Sequence, residues 1–407
     1  MNIKKSIVKL LRFVMTNTVY FKGLAFSRNI QPPHTYHRRG GGKVLKGRVR
    51  NMFPGGNTSV GFFSFYNYII NRESAKRVFI LKGGPGVGKS TFMKKISETM
   101  QNLGYDSEHM HCSSDNSSLD GVVMPSIGVA LIDGTSPHVC DPVFPGTVDE
   151  IIHLGDYWNE EGLKKGRENV IRISREVGSL FSRAYGYLGA AARIRENSTA
   201  VYAAYVDEAK VNKTAKQYVD LLFEGVPVAD KAGRARCLFA SAITPSGLKN
   251  YIDELVSSDN VYMLTGFPGA GTETVLGRVK SAALERGFSV EAYYCAFKPD
   301  KLEHLIIPGI KTAFTTAEKY HTSDVCTVGK TDFRDFLDSK FTDRNRAALE
   351  YNQSMFDNLL DKAVETIHEA KALHDEMETY YIPNIDFNAI QKCWEKTMQR
   401  ILIYADE

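Results

Sequence analysis

Two glycine-rich loops, 183 residues apart, constrain this chain more than any other feature. Residues 83–90 read Gly-Gly-Pro-Gly-Val-Gly-Lys-Ser, and residues 266–273 read Gly-Phe-Pro-Gly-Ala-Gly-Thr-Glu. The first satisfies the complete G-x-x-x-x-G-K-[ST] pattern of a phosphate-binding loop. The second keeps glycines and proline but carries Thr272 and Glu273 in place of the lysine and the hydroxyl. Each loop follows an apolar, strand-like run (78–81 and 261–264), and each opens a helical stretch that closes on Gly104 or Gly287. The register then holds without a gap. Cys112 meets Cys295, Leu119 meets Leu302, Pro125 meets Pro308, Ala130 meets Ala313, His138 meets His321 and Asp141 meets Asp324. About a quarter of positions 77–141 are identical between the copies, the mark of a duplicated structural unit.

A length of 407 residues accommodates two domains with their own cores. Strands alternating with helices predict an α/β fold of two tandem P-loop NTPase-like domains, each a parallel sheet with helices on both faces and each with a helical insertion. The expected divisions are an N-terminal extension at 1–45, a first domain at 50–255 with its arm at about 160–222, and a second at 256–407 with its arm at about 343–380. Residues 53–72 read as a turn leading into an aromatic helix, 234–244 as a late strand of the first domain, 246–258 as a short connecting helix and 386–403 as a final helix. The six cysteines (112, 140, 237, 295, 326, 393) form no C-x-x-C pair, which argues against a zinc site and against a disulfide framework and suits a reducing compartment, so a cytoplasmic location is expected.

Charge is concentrated at one end. Residues 1–72 hold thirteen Lys and Arg and no Asp or Glu, so the remaining chain has 51 − 13 = 38 basic against 47 acidic residues. The net +4 therefore belongs to the N-terminal segment, and nucleic acid is not an expected partner. Ile3, Ile7, Leu10 and Val14 fall on one helical face with Lys5, Lys9 and Arg12 on another, a pattern compatible with an anionic membrane surface, a targeting peptide or a disordered extension. Arg38-Arg39-Gly40-Gly41-Gly42 reads as a flexible joint.

The chemistry of the first loop follows from its residues. Phosphate oxygens need donors, and closely spaced glycines let the backbone N–H groups of Gly83, Gly84, Pro85, Gly86, Val87, Gly88, Lys89, Ser90 and Thr91 (Pro85 lacking one) curl around an anion at a helix N-terminus. Lys89 reaches the β and γ phosphates, Ser90 supplies a hydroxyl to Mg²⁺, and Thr91 is placed for the α-phosphate. A second metal group is expected from Asp133, which ends the buried-strand pattern 129–133 and would hold Mg²⁺ through water. The second copy has Thr316 there, so lysine, hydroxyl and carboxylate are lost together.

Water activation has several candidates. Asp115 and Asp120 lie after the second strand, where an acceptor-binding carboxylate would sit in a kinase, and His138, Asp141, Asp149 and Glu150 follow Asp133. His138 and Asp141 persist in the decayed copy, which favours a structural role. Arg234 and Arg236 follow the helical arm, where an arginine could stabilise transferred charge.

On the stretches 53–58, 80–86, 111–116, 131–135 and 238–245 the chain resembles the tandem P-loop ATPases or nucleotide-binding proteins of spore-forming Gram-positive bacteria, from about residue 50 to the end. That resemblance implies a cytosolic protein with P-loop folds and leaves its substrate open. The expected function is an ATP-binding, Mg²⁺-dependent NTPase with a C-terminal pseudo-site. The alternatives are a small-molecule or nucleotide kinase with a small-molecule acceptor, and a regulatory module that binds nucleotide, turns over slowly and signals to a protein partner.

Overall fold

A computed structural model describes residues 45–137, 139–341 and 343–406. The basic amphipathic face, the Arg38–Gly42 joint and His138 lie outside the described residues. In chain order the first half contains β1 (Val49–Met52), β2 (Gly55–Thr58), β3 (Gly61–Ser64), β4 (Arg77–Lys82), α1 (Lys89–Asn102), β5 (Ser107–His111), β6 (Leu119–Met124), β7 (Val129–Asp133), β8 (Asp149–His153), α2 (Glu160–Lys165), α3 (Arg167–Ala203) and α4 (Glu208–Phe223). The second half repeats the series as β9 (Ala235–Phe239), β10 (Ser241–Thr244), β11 (Gly247–Asn250), α5 (Ile252–Val256), β12 (Asn260–Thr265), α6 (Thr272–Glu285), β13 (Val290–Tyr294), β14 (Leu302–Ile307), β15 (Thr312–Ala317), β16 (Gly329–Asp332), α7 (Asp343–Tyr381) and α8 (Phe387–Asp406).

Two six-stranded sheets result, ordered β1-β5-β6-β7-β4-β8 and β9-β13-β14-β15-β12-β16, equivalent strand for strand. Both are mixed rather than parallel, because β6 and β14 run antiparallel to their neighbours on both sides. The connections explain the difference. Residues 112–118 and 125–128 are too short for the crossover that a parallel neighbour requires, so each can only fold its strand back. The first sheet's inner face is not covered by its own helices. Val78, Ile80, Ala130 and Ile132 share one core with Val261, Ile306 and Ala313 of the second sheet and with Ile69, Ile252 and Leu255.

Residues 53–72 form the β2–β3 hairpin and a short 3₁₀ turn at Tyr66–Tyr68, not a helix. Only Ser59 and Val60 separate the strands, Thr58 Oγ1 donates to the Gly61 carbonyl at 2.7 Å, and Gly61 takes φ +99°, which favours glycine. The second half repeats the device, with Thr244 Oγ1 donating to Gly247 O at 2.6 Å and Gly247 at φ +93°. The 234–244 segment, read from sequence as part of the first domain, supplies β9 and β10, and β9 is the edge strand of the second sheet, paired with β13. By sheet membership the halves therefore divide in the loop before β9, not at 255.

The halves are tied about an approximate two-fold relation. Phe53 and Phe239, equivalent residues, exchange both backbone hydrogen bonds at 2.9 and 3.0 Å. Arg50 bonds Glu291 across the halves at 3.1 and 2.6 Å, and its counterpart Arg236 bonds Glu108, the counterpart of Glu291, at 2.9 and 2.6 Å. Such reciprocal contacts are what an isologous dimer interface contains. Helices α3 and α7 pack antiparallel, since Arg172 meets Glu376 at 3.5 Å whereas Asn197 meets Asn352 at 2.7 Å. Ala184, Leu188 and Ala191 face Phe356, Leu360, Ala363 and Ile367 there, and the three-and-four spacing keeps each set on one helical stripe.

The final helix of each half leaves its own sheet for the other. Helix α4 packs Val211, Ala215 and Phe223 into the core of α6 and the second sheet, with Asp207 N–H donating to Phe336 O at 2.9 Å. Helix α8 does the converse. Asp386 N–H donates to Tyr157 O at 2.7 Å, Arg77 Nε donates to the Tyr404 hydroxyl at 2.8 Å, and Arg400 Nη1 reaches Glu150 Oε1 at 2.5 Å. The long arms carry the chain across. No helix among the described residues is long and apolar enough to cross a membrane.

Candidate functional site

The first glycine loop joins β4 to α1. Gly86 and Gly88 adopt φ +68° and +87°, a conformation side chains resist, so the glycine spacing is a backbone requirement here. Gly88 is the N-cap of α1 and makes no side-chain cap, and the first turn carries no acid. The helix therefore presents backbone donors and its positive dipole end to the loop. Lys89 Nζ donates to the carbonyls of Gly83 at 2.8 Å and Gly84 at 3.1 Å, and lies 3.7 Å from Asp133 Oδ2.

Asp133 reaches this position because β7 pairs in parallel directly beside β4, with Leu81 opposite Asp133. Its other oxygen accepts from Thr135 N–H at 2.8 Å, and Thr135 Oγ1 donates to Gly83 O at 3.1 Å, tying the strand end to the loop. Ser90 Oγ accepts from Leu119 N–H at 3.0 Å, which brings the start of β6 to the first turn of α1. Thr91 is exposed. The structure thus brings Lys89, Ser90 and Asp133 to one end of the sheet.

Residues of the second half, joined by Trp158 of the first, close over this loop. A side chain at Gly84 would meet Tyr381 at 2.9 Å and Trp158 at 3.2 Å, and one at Gly86 would meet Ile382 at 2.9 Å. Glu378, near the end of α7, accepts a hydrogen bond from Gly86 N–H at 3.2 Å. A carboxylate oxygen therefore already sits on one of the loop's amides. His374 Nδ1 lies 3.9 Å from the same oxygen. Sequence reasoning missed Glu378, Tyr381 and Lys371, because they stand in the repeat's other arm and carry no motif of their own.

The other candidates divide. Asp115 stays beside the loop, since Lys94 donates to the Ser117 carbonyl and Lys371 of α7 approaches Asp115 at 3.7 Å. Its oxygens accept from Ser117 N–H, the Ser117 hydroxyl and the Ser118 hydroxyl at 3.0, 2.7 and 2.8 Å. Burial works against its charge, but these donors and Lys371 outweigh it and hold the carboxyl below its ordinary range. Asp115 thus shapes a turn. Asp120 is 3 % exposed, beside Tyr66 and Cys112. Asp149 accepts from Val143 and Phe144 N–H at 3.0 and 2.7 Å and pairs with Arg72 at 3.2 Å, while Asp141 pairs with Lys82 at 3.0 Å.

Arg236 is not at the loop. Besides Glu108 it donates to the carbonyls of Tyr68 and Ile69 at 3.0 and 2.7 Å, so every polar contact it makes belongs to the joint between the halves. A charge at the start of a strand reads alike in sequence whether it serves chemistry or assembly. The sheet order puts Arg236 on the edge next to β13, where Glu108 and Glu291 need cations. Arg234 makes an exposed pair with Glu73 at 3.0 Å.

The second loop keeps the backbone and packs against the first half's helices, with a cavity of about 540 Å³ beside Pro268 and Tyr202. Gly269 and Gly271 hold φ +83° and +93°, and Thr272 is buried. Tyr202 of α3 stacks on Phe267 at 4.2 Å, Thr199 lies 2.9 Å from a side chain added at Gly269, and Val211 of α4 lies 2.8 Å from one added at Gly271. Thr316, in the place of Asp133, bonds His321 Nε2 at 2.9 Å through its hydroxyl. Compared with protein-family models, with curated proteins and with solved structures, the chain finds no match.

Proposed function

We propose that the first half binds ATP with Mg²⁺ at residues 83–91 and hydrolyses it as a P-loop NTPase, and that the second half is a pseudo-site serving as scaffold. The observation that carries this reading is the Gly86 N–H held by the Glu378 carboxylate: the loop's amide already takes an anionic oxygen, as a phosphate-binding loop must. In this reading the loop amides and the α1 dipole hold the phosphates. Lys89, now on the carbonyls of Gly83 and Gly84, would supply a point charge, and Ser90 with Asp133 would hold the metal. A Mg²⁺ held there would supply neutralisation of the charge on the phosphates.

The mixed sheet is compatible with this chemistry, because what the site needs is Asp133 beside Lys89. A second reading, a regulatory module whose arms report nucleotide occupancy, is favoured by the closure of α7 over the loop through Glu378 and Tyr381. Incubating the full chain with ATP and Mg²⁺, with and without a metabolite pool, and identifying the phosphorylated products tests both. Phosphate release without an acceptor supports hydrolysis, acceptor-dependent ADP formation points to a kinase, and tight binding with turnover at background supports the regulatory module. Absence of nucleotide binding sinks all three.

A further inference from the structure

The second half holds a group of side chains that the decay of its phosphate loop does not explain. Glu303 and His304 are consecutive on β14, and consecutive strand residues ordinarily point to opposite faces. Here a β-bulge intervenes: Tyr293 pairs with His304 and Tyr294 with Leu302, so Glu303 is the extra residue. Bulges re-aim side chains, and both residues end 1 % exposed. His321 joins them from the loop after β15, where reciprocal backbone hydrogen bonds with Glu318 at 2.9 and 3.2 Å pin its main chain. One ligating atom from each of the three lies within 4.8 Å of the others.

Their hydrogen bonds leave lone pairs directed inward. His304 Nδ1 bonds the Thr315 hydroxyl at 2.8 Å, and His304 Nε2 is buried without a hydrogen-bond partner. With the proton on Nδ1, the tautomer a metal-binding Nε2 requires, Nε2 offers its lone pair. His321 uses Nε2 on Thr316 at 2.9 Å and turns Nδ1 toward Glu303, 3.9 Å away. The adjacent acid, Glu318, is occupied by Lys301 at 2.6 Å and by Arg195. Lys301 also donates to Glu303 Oε1, at 3.4 Å, leaving Glu303 Oε2 to a ligand. A cavity of about 40 Å³ opens beside Glu303 and His321, with Cys295 in its wall, room for about one small ligand such as water.

We propose that Glu303, His304 and His321 form a divalent-cation site of the zinc class, with a Glu303 oxygen, His304 Nε2 and His321 Nδ1 as ligands and a fourth position facing the cavity. Two imidazoles and one carboxylate suit Zn²⁺ and exclude the all-oxygen shells that Mg²⁺ and Ca²⁺ demand. Three protein ligands with an open position are the arrangement of reactive rather than purely structural zinc. Thr315 and Thr316 are the outer partners that orient the rings. The site belongs to the second copy alone: Asp120 stands in the first half where Glu303 stands here, but Gly121 occupies the position of His304.

The test uses the full chain, dialysed against a weak chelator and then titrated with Zn²⁺ against a chromogenic competitor, with Co²⁺ as the spectroscopic probe. One equivalent of Zn²⁺ per chain and a Co²⁺ spectrum of a four-coordinate N/O site are expected. His304→Ala and His321→Ala should each weaken binding by more than the roughly 10- to 100-fold that loss of an outer partner costs. Thr315→Val, which keeps all three ligands and the side-chain volume, should fall within that 10- to 100-fold window. It serves if the histidine variants do not fold by circular dichroism. Lys89→Ala should bind Zn²⁺ as the unmodified chain does, separating this site from the phosphate loop. Substoichiometric binding to the unmodified chain, or unchanged affinity in folded His304→Ala, His321→Ala or Thr315→Val, overturns the proposal.

Discussion

Replacing Glu378 offers the sharpest test of how the two halves share the phosphate loop. Its carboxylate accepts from Gly86 N–H at 3.2 Å, and its side chain is 34 % exposed. An incoming phosphate must displace it from that amide. A hydrogen bond to a charged acceptor is worth about 1.5–3 kcal/mol. The long distance and the solvent access reduce this to about 1–2 kcal/mol, which at 1.4 kcal/mol per decade is roughly 5- to 30-fold in affinity. Glu378→Ala should therefore bind a non-hydrolysable ATP analogue with Mg²⁺ about 5- to 30-fold more tightly, by isothermal titration calorimetry at low salt. Glu378→Gln keeps the acceptor but not the charge and should fall between. Added salt should narrow the gap between the Gln variant and the native chain, because part of the effect is repulsion between exposed charges. If Glu378→Ala binds the analogue no better than the native chain, the carboxylate does not compete with phosphate, and the argument that the loop amide is built for anions fails.

Other expectations concern each half in turn. Lys89→Ala should lower ATP turnover at least about 100-fold, the scale of losing one preorganised charge stabiliser, whereas Thr272→Ala should leave it nearly unchanged; equal losses would contradict the assignment of a single working site. Arg236→Ala leaves the buried Glu108 with Arg50 alone, at 3.1 Å, and should cost about 1.5–3 kcal/mol in chemical denaturation while leaving the turnover of the folded fraction intact, so lost turnover at unchanged stability would return Arg236 to the chemistry. At Glu291, burial opposes the charge, but the hydrogen bonds and charge of Arg50, with Arg236, prevail and hold its carboxyl below the ordinary range. Its folded value is thus below its unfolded one, so this stabilisation is complete above about pH 4.3 and drains away as pH falls through the folded value. Thermal melts from neutral to acid pH should show a shallower acid loss in Glu291→Gln than in the native chain, and parallel curves would refute the linkage.

Much of this was legible in the sequence, for physical reasons. Loop glycines at fixed spacing demand left-handed backbone, so the motif at 83–90 could be placed between a strand and a helix. The shared 183-residue register carried that placement to the second copy, and long stretches without breakers gave the arms. The apolar pattern of β6 does not encode direction, so the antiparallel strand had to come from the shortness of its connections. An amphipathic stripe such as Ile390, Trp394, Ile401 states that α8 docks, not on which half. Glu378 and Arg236 are ordinary charges whose meaning rests on residues far along the chain. Glu303 and His304 sit side by side in a strand, which reads as two opposite faces until the bulge is known.

The exchange of α4 and α8 has a consequence for how such a chain changes over time. In a dimer of identical subunits that trade terminal helices, any substitution strikes both catalytic centres at once, and a lethal one in the first is lethal in the second. Joining the two copies into a single polypeptide releases that constraint while the traded helices keep the copies inseparable. Under the proposed function, one centre could then do without the lysine and metal carboxylate, its loop packed against Tyr202 and Val211, without the pair coming apart. Cutting the chain between α4 and β9 would accordingly give two fragments, each lacking a helix that the other holds, that fold together or not at all.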